Sequence, residues 1–464
     1  MMRFAISVHR WLGVALCLPF LIWFPSAVGM MYSDFPSVTA EDRLARSPAL
    51  DASAIHVSPA EAYAALRTSE PPTDVRLNTF DGRPVYRFRF GRSERVVYAD
   101  TADVRGDATP ASMRRVAARW TQQPESDALV EPVDEVDQWT VQSPLRTLRP
   151  LWKFSWRDGQ QVYIAQESGE VVQYTTAAAR VGAYLGPIPH WLYFTALRKR
   201  QLAWTRVVVW SSGAATLAAA LGIAIGVWRS AGARRIPYRG QKWWHTAFGL
   251  IFGVGAATWA FSGMLSMDPF PIEGDDPPPL RLRGPVRPAD FAPRDPRGAL
   301  AVLAPIGAKE LEFATALGER VYIAKTDRGE TRVVPLEGPP RSELDRDRMR
   351  AMIPGAEIST IDRYDAYYRD RRRERPLPVV LAQLGDADRT RYYIDPRSAR
   401  VVATYSSRHW VTRWLYHGLH SLDFPWLYDR RPLWDVVVIA FMLGGTALSV
   451  TSVILAWRVL RTSI

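Results

Sequence analysis

A single cysteine, Cys17, lies inside an apolar run, so the chain can form no internal disulfide and has no Cys-x-x-Cys-His site for covalent haem attachment. Any haem would be held non-covalently. The Arg229 to Lys242 stretch has no acid, and four long runs have no Asp, Glu, Lys or Arg: Trp11 to Tyr32, Val207 to Trp228, Trp243 to Met267 and Val436 to Trp457. No His-Glu-x-x-His, Gly-x-Ser-x-Gly, dinucleotide-binding Gly-x-Gly-x-x-Gly or P-loop occurs, so neither hydrolytic chemistry nor a nucleotide donor site is supported.

Each uncharged run is long enough to span a bilayer. The first follows a basic start, Arg3 and Arg10, but its apolar core is too long for a cleavable signal peptide and no A-x-A site follows, which predicts an uncleaved anchor. Pro19 and Pro25 within it are tolerable where neighbouring helices satisfy the freed carbonyls. Net charge is +12, with 18 Trp, and the cations cluster beside the apolar runs, which points to membrane lipid and away from nucleic acid. Arg229, Arg234, Arg235, Arg239 and Lys242 place their loop in the cytoplasm by the positive-inside bias, and both termini with it. Residues of about 33 to 200 and 268 to 430 then lie outside. The expected fold is an α-helical membrane protein with four transmembrane helices, two extracytoplasmic α+β domains and an internal two-fold repeat.

The expected order is helix 1 over 1–32, an outer α+β domain over 33–182, an amphipathic approach over 183–206, helix 2 over 207–228, a basic loop over 229–242 and helix 3 over 243–267. A Pro-rich linker over 268–296, a second outer domain over 297–407, a His- and aromatic-rich approach over 408–435 and helix 4 over 436–457 follow. Ser58-Pro-Ala-Glu61 reads as a capping-box helix start. Strands are expected at Val75 to Phe80, Val85 to Phe90, Arg95 to Ala99, Leu151 to Trp156, Gln161 to Ala165 and Glu170 to Tyr174, and again near 318–323, 391–394 and 400–402. Nine prolines between Asp268 and Pro296 predict an extended linker.

The repeat shows in single residues. His9 is followed by Gly13 and Trp23, and His245 by Gly249 and Trp259 at the same spacings; His190 precedes Trp204 as His420 precedes Trp434. The chain reads as helix, outer domain, helix, used twice.

His9-Arg-Trp-Leu-Gly13, Ser58-Pro-Ala-Glu-Ala62, Gly82-Arg-Pro-Val-Tyr86, Val97-Tyr-Ala-Asp100 and Trp414-Leu-Tyr-His417 together resemble the bacterial PepSY-associated transmembrane helix family, over nearly the whole chain. The resemblance implies PepSY-like periplasmic domains, an inner-membrane location, b-type haem and, as in some members, reduction of siderophore-bound iron. The Pro-rich linker and the Arg-dense Tyr367 to Arg375 stretch depart from what the reductase members need to have, which leaves the substrate open.

Of the seven His, His56 reads as a solvated surface residue. His9 and His245 fall at the cytoplasmic face as repeat equivalents; His190, His417 and His420 fall at the outer face, with His190 and His420 equivalent. A b-type haem needs apolar walls and axial imidazoles from different helices, and two repeat-related pairs supply one or two such sites. His beside Arg and Trp is also the composition of an interfacial anchor, so both readings stand. Which of His417 and His420 is the ligand stays open, because residues three apart share a helix face. Arg413, Arg430 and Arg431 are candidate partners of haem propionates or an anionic ferric chelate. Tyr364 to Arg375 reads as a solvated basic loop or an anion cradle. Three functions follow as expectations: an oxidoreductase fed by a quinol or a separate reductase and passing electrons to a ferric chelate; a partner-binding or peptidase-regulating membrane protein; and an iron or haem uptake component.

Overall fold

The computed structural model describes residues 2–233, 235–270, 276–291, 295–326, 329–370 and 372–463. Four helices are long and apolar enough to cross a membrane: α1 (Met2–Tyr32), α2 (Gln201–Ala233), α3 (Gln241–Leu265) and α4 (Leu433–Ser463). At about 1.5 Å rise per residue even α3, with 25 residues, exceeds the roughly 30 Å of a hydrocarbon core. Each helix reaches beyond its apolar run, except that α3 stops at Leu265, and α1 begins early enough to carry His9 inside it. The prolines at 19 and 25 do not interrupt α1.

The helices pack as a square, in which α1 and α3 each adjoin α2 and α4 and face one another across the diagonal. The short connector between α2 and α3 marks one end of this bundle; all the strands lie toward the other. Arg234 of the connector is outside the described residues.

Fifteen strands are described, in three sheets. From the first outer segment come β1 (Asp74–Phe80), β2 (Arg83–Phe90) and β3 (Ser93–Tyr98), then β4 (Leu129–Val133), β5 (Leu151–Ser155), β6 (Gln161–Ala165) and β7 (Val171–Thr175). The second supplies β8 (Arg283–Gly284), β9 (Glu310–Ala316), β10 (Glu319–Lys325) and β11 (Thr331–Pro335), then β12 (Ala356–Ile361), β13 (Val379–Leu384), β14 (Arg391–Ile394) and β15 (Val401–Tyr405). Local chemistry explains the turns. Asp81 and Gly82 both have positive φ, 50° and 84°, as the two-residue β1–β2 hairpin requires. The Ser58 capping box opens the Pro59–Ala65 helix as its sequence predicts, with Ser58 and Glu61 bonding reciprocally.

The two outer segments, expected as a first and a second α+β domain, are joined through one sheet. One sheet runs β11-β10-β9-β1-β2-β3, with the short β8 also on β9, and the segments meet where β1 pairs antiparallel with β9. The register at that seam, Val75 opposite Phe313, Arg76 opposite Glu312 and Leu77 opposite Leu311, is the same when the two halves are exchanged. The β4-β5-β6-β7 and β12-β13-β14-β15 sheets lie on the shared sheet's other side from the Pro59–Ala65 and Pro296–Leu303 helices.

Period-two alternation sorts the side chains of the shared sheet. Val75, Leu77, Leu311 and Phe313 face the two helices in one core, whereas Arg76, Arg87, Glu310 and Glu312 point to the opposite face. There Arg76 meets Glu94 at 2.7 Å and Glu170 at 3.6 Å, and Glu312 meets Arg283 at 2.6 Å and also pairs with Arg400. Glu170 and Arg400 come from corresponding turns of the two four-stranded sheets, so the halves use opposite charges at matching places.

The Pro-rich segment is also more than a spacer. Leu282, Val286 and Phe291 are buried, β8 joins the shared sheet, and Pro278 accepts a hydrogen bond from Tyr392 at 2.7 Å, so much of this segment is strapped onto the core. Positions 271–275 and 292–294 lie outside the described residues.

Candidate functional site

His9 on α1 and His245 on α3 meet across the bundle diagonal near the connector end, with ring centres 6.2 Å apart and planes tilted 47°. His190 and His420 meet at the sheet end, 6.0 Å apart at 66°. His190 closes the short helix Pro187–His190, which packs on α1, while His420 lies in Leu419–Ser421 against α3. Each sequence-paired histidine therefore finds its expected opposite number.

All four rings are anchored through Nδ1. His9 Nδ1 is 2.9 Å from the Ala218 carbonyl, and His245 Nδ1 is 3.3 Å from Thr451 Oγ1 and 3.4 Å from Ser452 Oγ. His190 Nδ1 lies 3.3 Å from the Trp23 carbonyl and 3.4 Å from Ser26 Oγ; His420 Nδ1 lies 3.0 Å from Ser262 Oγ. Among the described residues no hydrogen bond uses the Nε2 of these four rings, so each pair presents two Nε2 atoms without a hydrogen-bond partner. Anchoring of one ring nitrogen is what orients a ligating imidazole. Burial holds the His190 and His420 rings neutral, well below the ordinary imidazole range, which is the form a metal takes.

The spacing of fourteen between each outer His and its Trp has a structural cause. Trp204 Nε1 donates back to the Trp191 carbonyl at 2.9 Å, and Trp434 Nε1 to the Ser421 carbonyl at 3.0 Å, so each indole ties down the residue after its histidine. Two glycines allow close approach, Gly29 of a neighbouring backbone and Gly222 of the His9 ring. A Cβ on Gly29 would stand 2.9 Å from the Gly186 Cα, and one on Gly222 would stand 2.7 Å from His9 Cε1.

A cavity of about 1090 Å³ surrounds the outer pair, walled by Phe20, Trp23, Phe24 and Trp259 toward the bundle. Its far side is polar and comes from the second half. Val411–Gly418 is a π-helical turn, a form frequent at functional sites, and it carries Arg413, Tyr416 and His417 to the cavity wall. His420, not His417, stands opposite His190. His417 instead lies 4.5 Å from the Tyr416 ring, and Tyr416 in turn 5.6 Å from His420.

Of the candidate cations only Arg413 lines the cavity. It is buried, donates to the Ala366 and Asp423 carbonyls, and keeps Nη1 without a partner among the described residues. Arg430 is exposed; Arg431 pairs with Asp435 and lies 4.1 Å over the Trp434 ring. Arg375 also lines the cavity, and so does Arg369, the other cavity cation from the stretch expected as a basic loop. It sits between Asp423 and Asp429, 3.1 Å from each, and burial pushes the Asp423 carboxyl up against the pull of Arg369 and Arg413. The loop itself is ordered, with Tyr368 fully buried and Asp370 accepting from the backbone of Arg372, Glu374 and Arg375. Arg371 lies outside the described residues, and His56 is exposed as expected.

The histidine pairs suit a bis-imidazole haem. With metal–nitrogen bonds of about 2 Å on each side, two ligating rings have centres about 6 Å apart. Among the described residues no three His, Cys, Asp or Glu gather in a group that could hold a metal ion. Two opposed imidazoles leave four positions of an octahedron open, which the four nitrogens of a porphyrin would fill. No family model matches the chain, and no curated protein matches it.

Proposed function

We propose that the chain is a multi-pass inner-membrane electron carrier of the PepSY-associated transmembrane helix type, built from one unit used twice, that holds two b haems. His9 and His245 hold the inner haem, and His190 and His420 the outer one. The observation that carries this reading is the two matched pairs of imidazoles, with ring centres 6.2 and 6.0 Å apart and each ring anchored through Nδ1. Bound haem supplies one-electron chemistry. The chain's part is to fix the rings, exclude water with the Phe20, Trp23, Phe24 and Trp259 wall, and offer Arg413 as a cation to a propionate or an anionic chelate. Electrons enter from a quinol or a separate reductase and leave to a periplasmic acceptor, a ferric siderophore or another iron chelate, which makes the chain a ferric-chelate reductase.

An absorbance spectrum of the detergent-extracted chain tests the cofactor. A reducible b-type band is expected, and a colourless preparation with dispensable histidines would return the chain to the partner-binding class. His9→Ala and His245→Ala should each remove the same low-spin signal, because both rings ligate one iron; unchanged spectra in both would leave these residues as interfacial anchors.

Orientation follows from the acid-free connector: both termini and Gly232 lie in the cytoplasm, and the sheets lie in the periplasm. Reporter fusions at Gly232 and Gly298 should read cytoplasm and exterior. The reverse result inverts the direction of electron flow.

A further inference from the structure

Between the two histidine pairs the bundle is filled unequally. On the α3–α4 side, aromatic rings run without a break from the connector end to the outer cavity. Trp244 and Phe248 have ring centres 5.5 Å apart, Phe248 and Phe252 6.5 Å, Phe252 and Phe441 5.8 Å, and Phe441 and Trp259 5.9 Å. Trp259 forms part of the cavity wall around His190 and His420, and Trp244 is the residue before His245 and half exposed. The corresponding positions of the first half are Val8, Leu12, Leu16 and Ser211; only Trp23 keeps the aromatic character of Trp259.

Filling alone does not require these rings, because aliphatic side chains fill the same places opposite, where Leu16 is buried. The backbone is also cut to admit them. A Cβ on Gly444 would collide with the Phe252 ring, and one on Gly255 would stand 2.8 Å from the Phe441 ring. Glycine in mid-helix costs stability relative to Ala, so rings seated on glycines hold a position that small side chains would make easier to build.

We propose that Phe248, Phe252, Phe441 and Trp259 form a one-sided aromatic bridge that couples the His9–His245 site electronically to the His190–His420 site. The step rests on the two-haem reading above. One electron leaves ferrous iron at the inner site, which becomes ferric, and reduces ferric iron at the outer site to ferrous; no bond breaks and no proton moves. Tunnelling falls steeply with every through-space gap, and neighbouring rings with centres 5.5 to 6.5 Å apart shorten those gaps. These are positioning residues, since none of them ligates the iron.

The test uses the full-length, haem-loaded protein in detergent. Haem content and both absorbance bands are recorded first, and then the time course of electron redistribution between the bands after rapid reduction of the inner site. Phe441→Leu and Phe252→Leu should keep both bands and their potentials but slow redistribution several-fold, while Leu12→Ile on the opposite side should leave the rate at that of the parent. Parental rates in both Phe variants, or equal slowing by Leu12→Ile, would overturn the bridge and leave the haem assignment standing. A parent protein that binds no haem removes both together. Where one Phe variant loses a band through misassembly, the other gives the rate.

Discussion

His190→Ala and His420→Ala should each yield protein that lacks the outer haem and retains the inner one, with ferric-chelate reduction abolished in both. Among the described residues these two rings alone oppose one another across the cavity, and under the proposed function neither would hold a low-spin b haem without the other. His417→Ala should keep both haems and slow chelate reduction several-fold. Its ring stands beside Tyr416 on the π-helical turn, at the polar wall of the cavity rather than opposite His190. A neighbour of this kind tunes the site or meets the substrate without holding the iron. Spectra and reduction rates of the three variants decide the assignment. Haem loss confined to His417→Ala would exchange the roles of His417 and His420, and full haem in all three would delete the outer site.

What was legible in the sequence follows from how far each signal reaches along the chain. Four uncharged runs specify four long helices because composition alone decides whether a helix can cross a bilayer. The histidine pairing was legible because the repeat put His9 with His245 and His190 with His420 before any contact was known. The anchors behind those rings were within reach too: Ser26 and Ser262 stand at the same offset as the His9 and His245 pair, but a Ser in an apolar run gives no signal until a ring is placed beside it. The strand β9 was hidden for a physical reason. Its alternate residues Glu310 and Glu312 are buried against cations from other segments, so a core strand carries the pattern of a surface one. The strands β4 and β12 present mostly exposed or half-exposed side chains and offer little alternation. The joining of the outer segments through β1 and β9 depends on pairing far along the chain, which no local pattern encodes. The same is true of the π-helical turn that sets His417 apart from His420 in position.

The charged seam of the shared sheet should make Glu312→Gln the most damaging change outside the bundle. Glu312 is 1% exposed. Burial alone would raise its pKa, but Arg283, Lys325 and Arg400 outweigh that and hold the carboxyl at about 2, below its ordinary 4.5. A carboxyl depressed in the folded state stabilises the fold fully above its ordinary pKa and loses that contribution as pH falls from about 4.5 toward 2. A shift of this size corresponds to about 3 kcal/mol at neutral pH. Gln keeps the shape but takes their shared anion from Arg283, Lys325 and Arg400, leaving Glu310 beside Lys325 and Asp74 beside Arg400, and breaking a buried ion pair from one side costs about 3–5 kcal/mol. Unfolding of the outer sheets, followed by tryptophan fluorescence in denaturant, should therefore have a clearly lower midpoint for Glu312→Gln than for the parent at pH 7, and the gap should narrow at pH 3, where the unfolded chain's carboxyl is protonated and folding must release that proton because the folded carboxyl, held at about 2, stays largely ionised. Coincident midpoints at pH 7 would mean that the β1–β9 seam is held by its apolar face, through Val75, Leu77, Leu311 and Phe313, with the charges contributing nothing measurable. A gap that persists unchanged at pH 3 would instead assign the loss to the altered hydrogen bonding of the amide rather than to the missing charge.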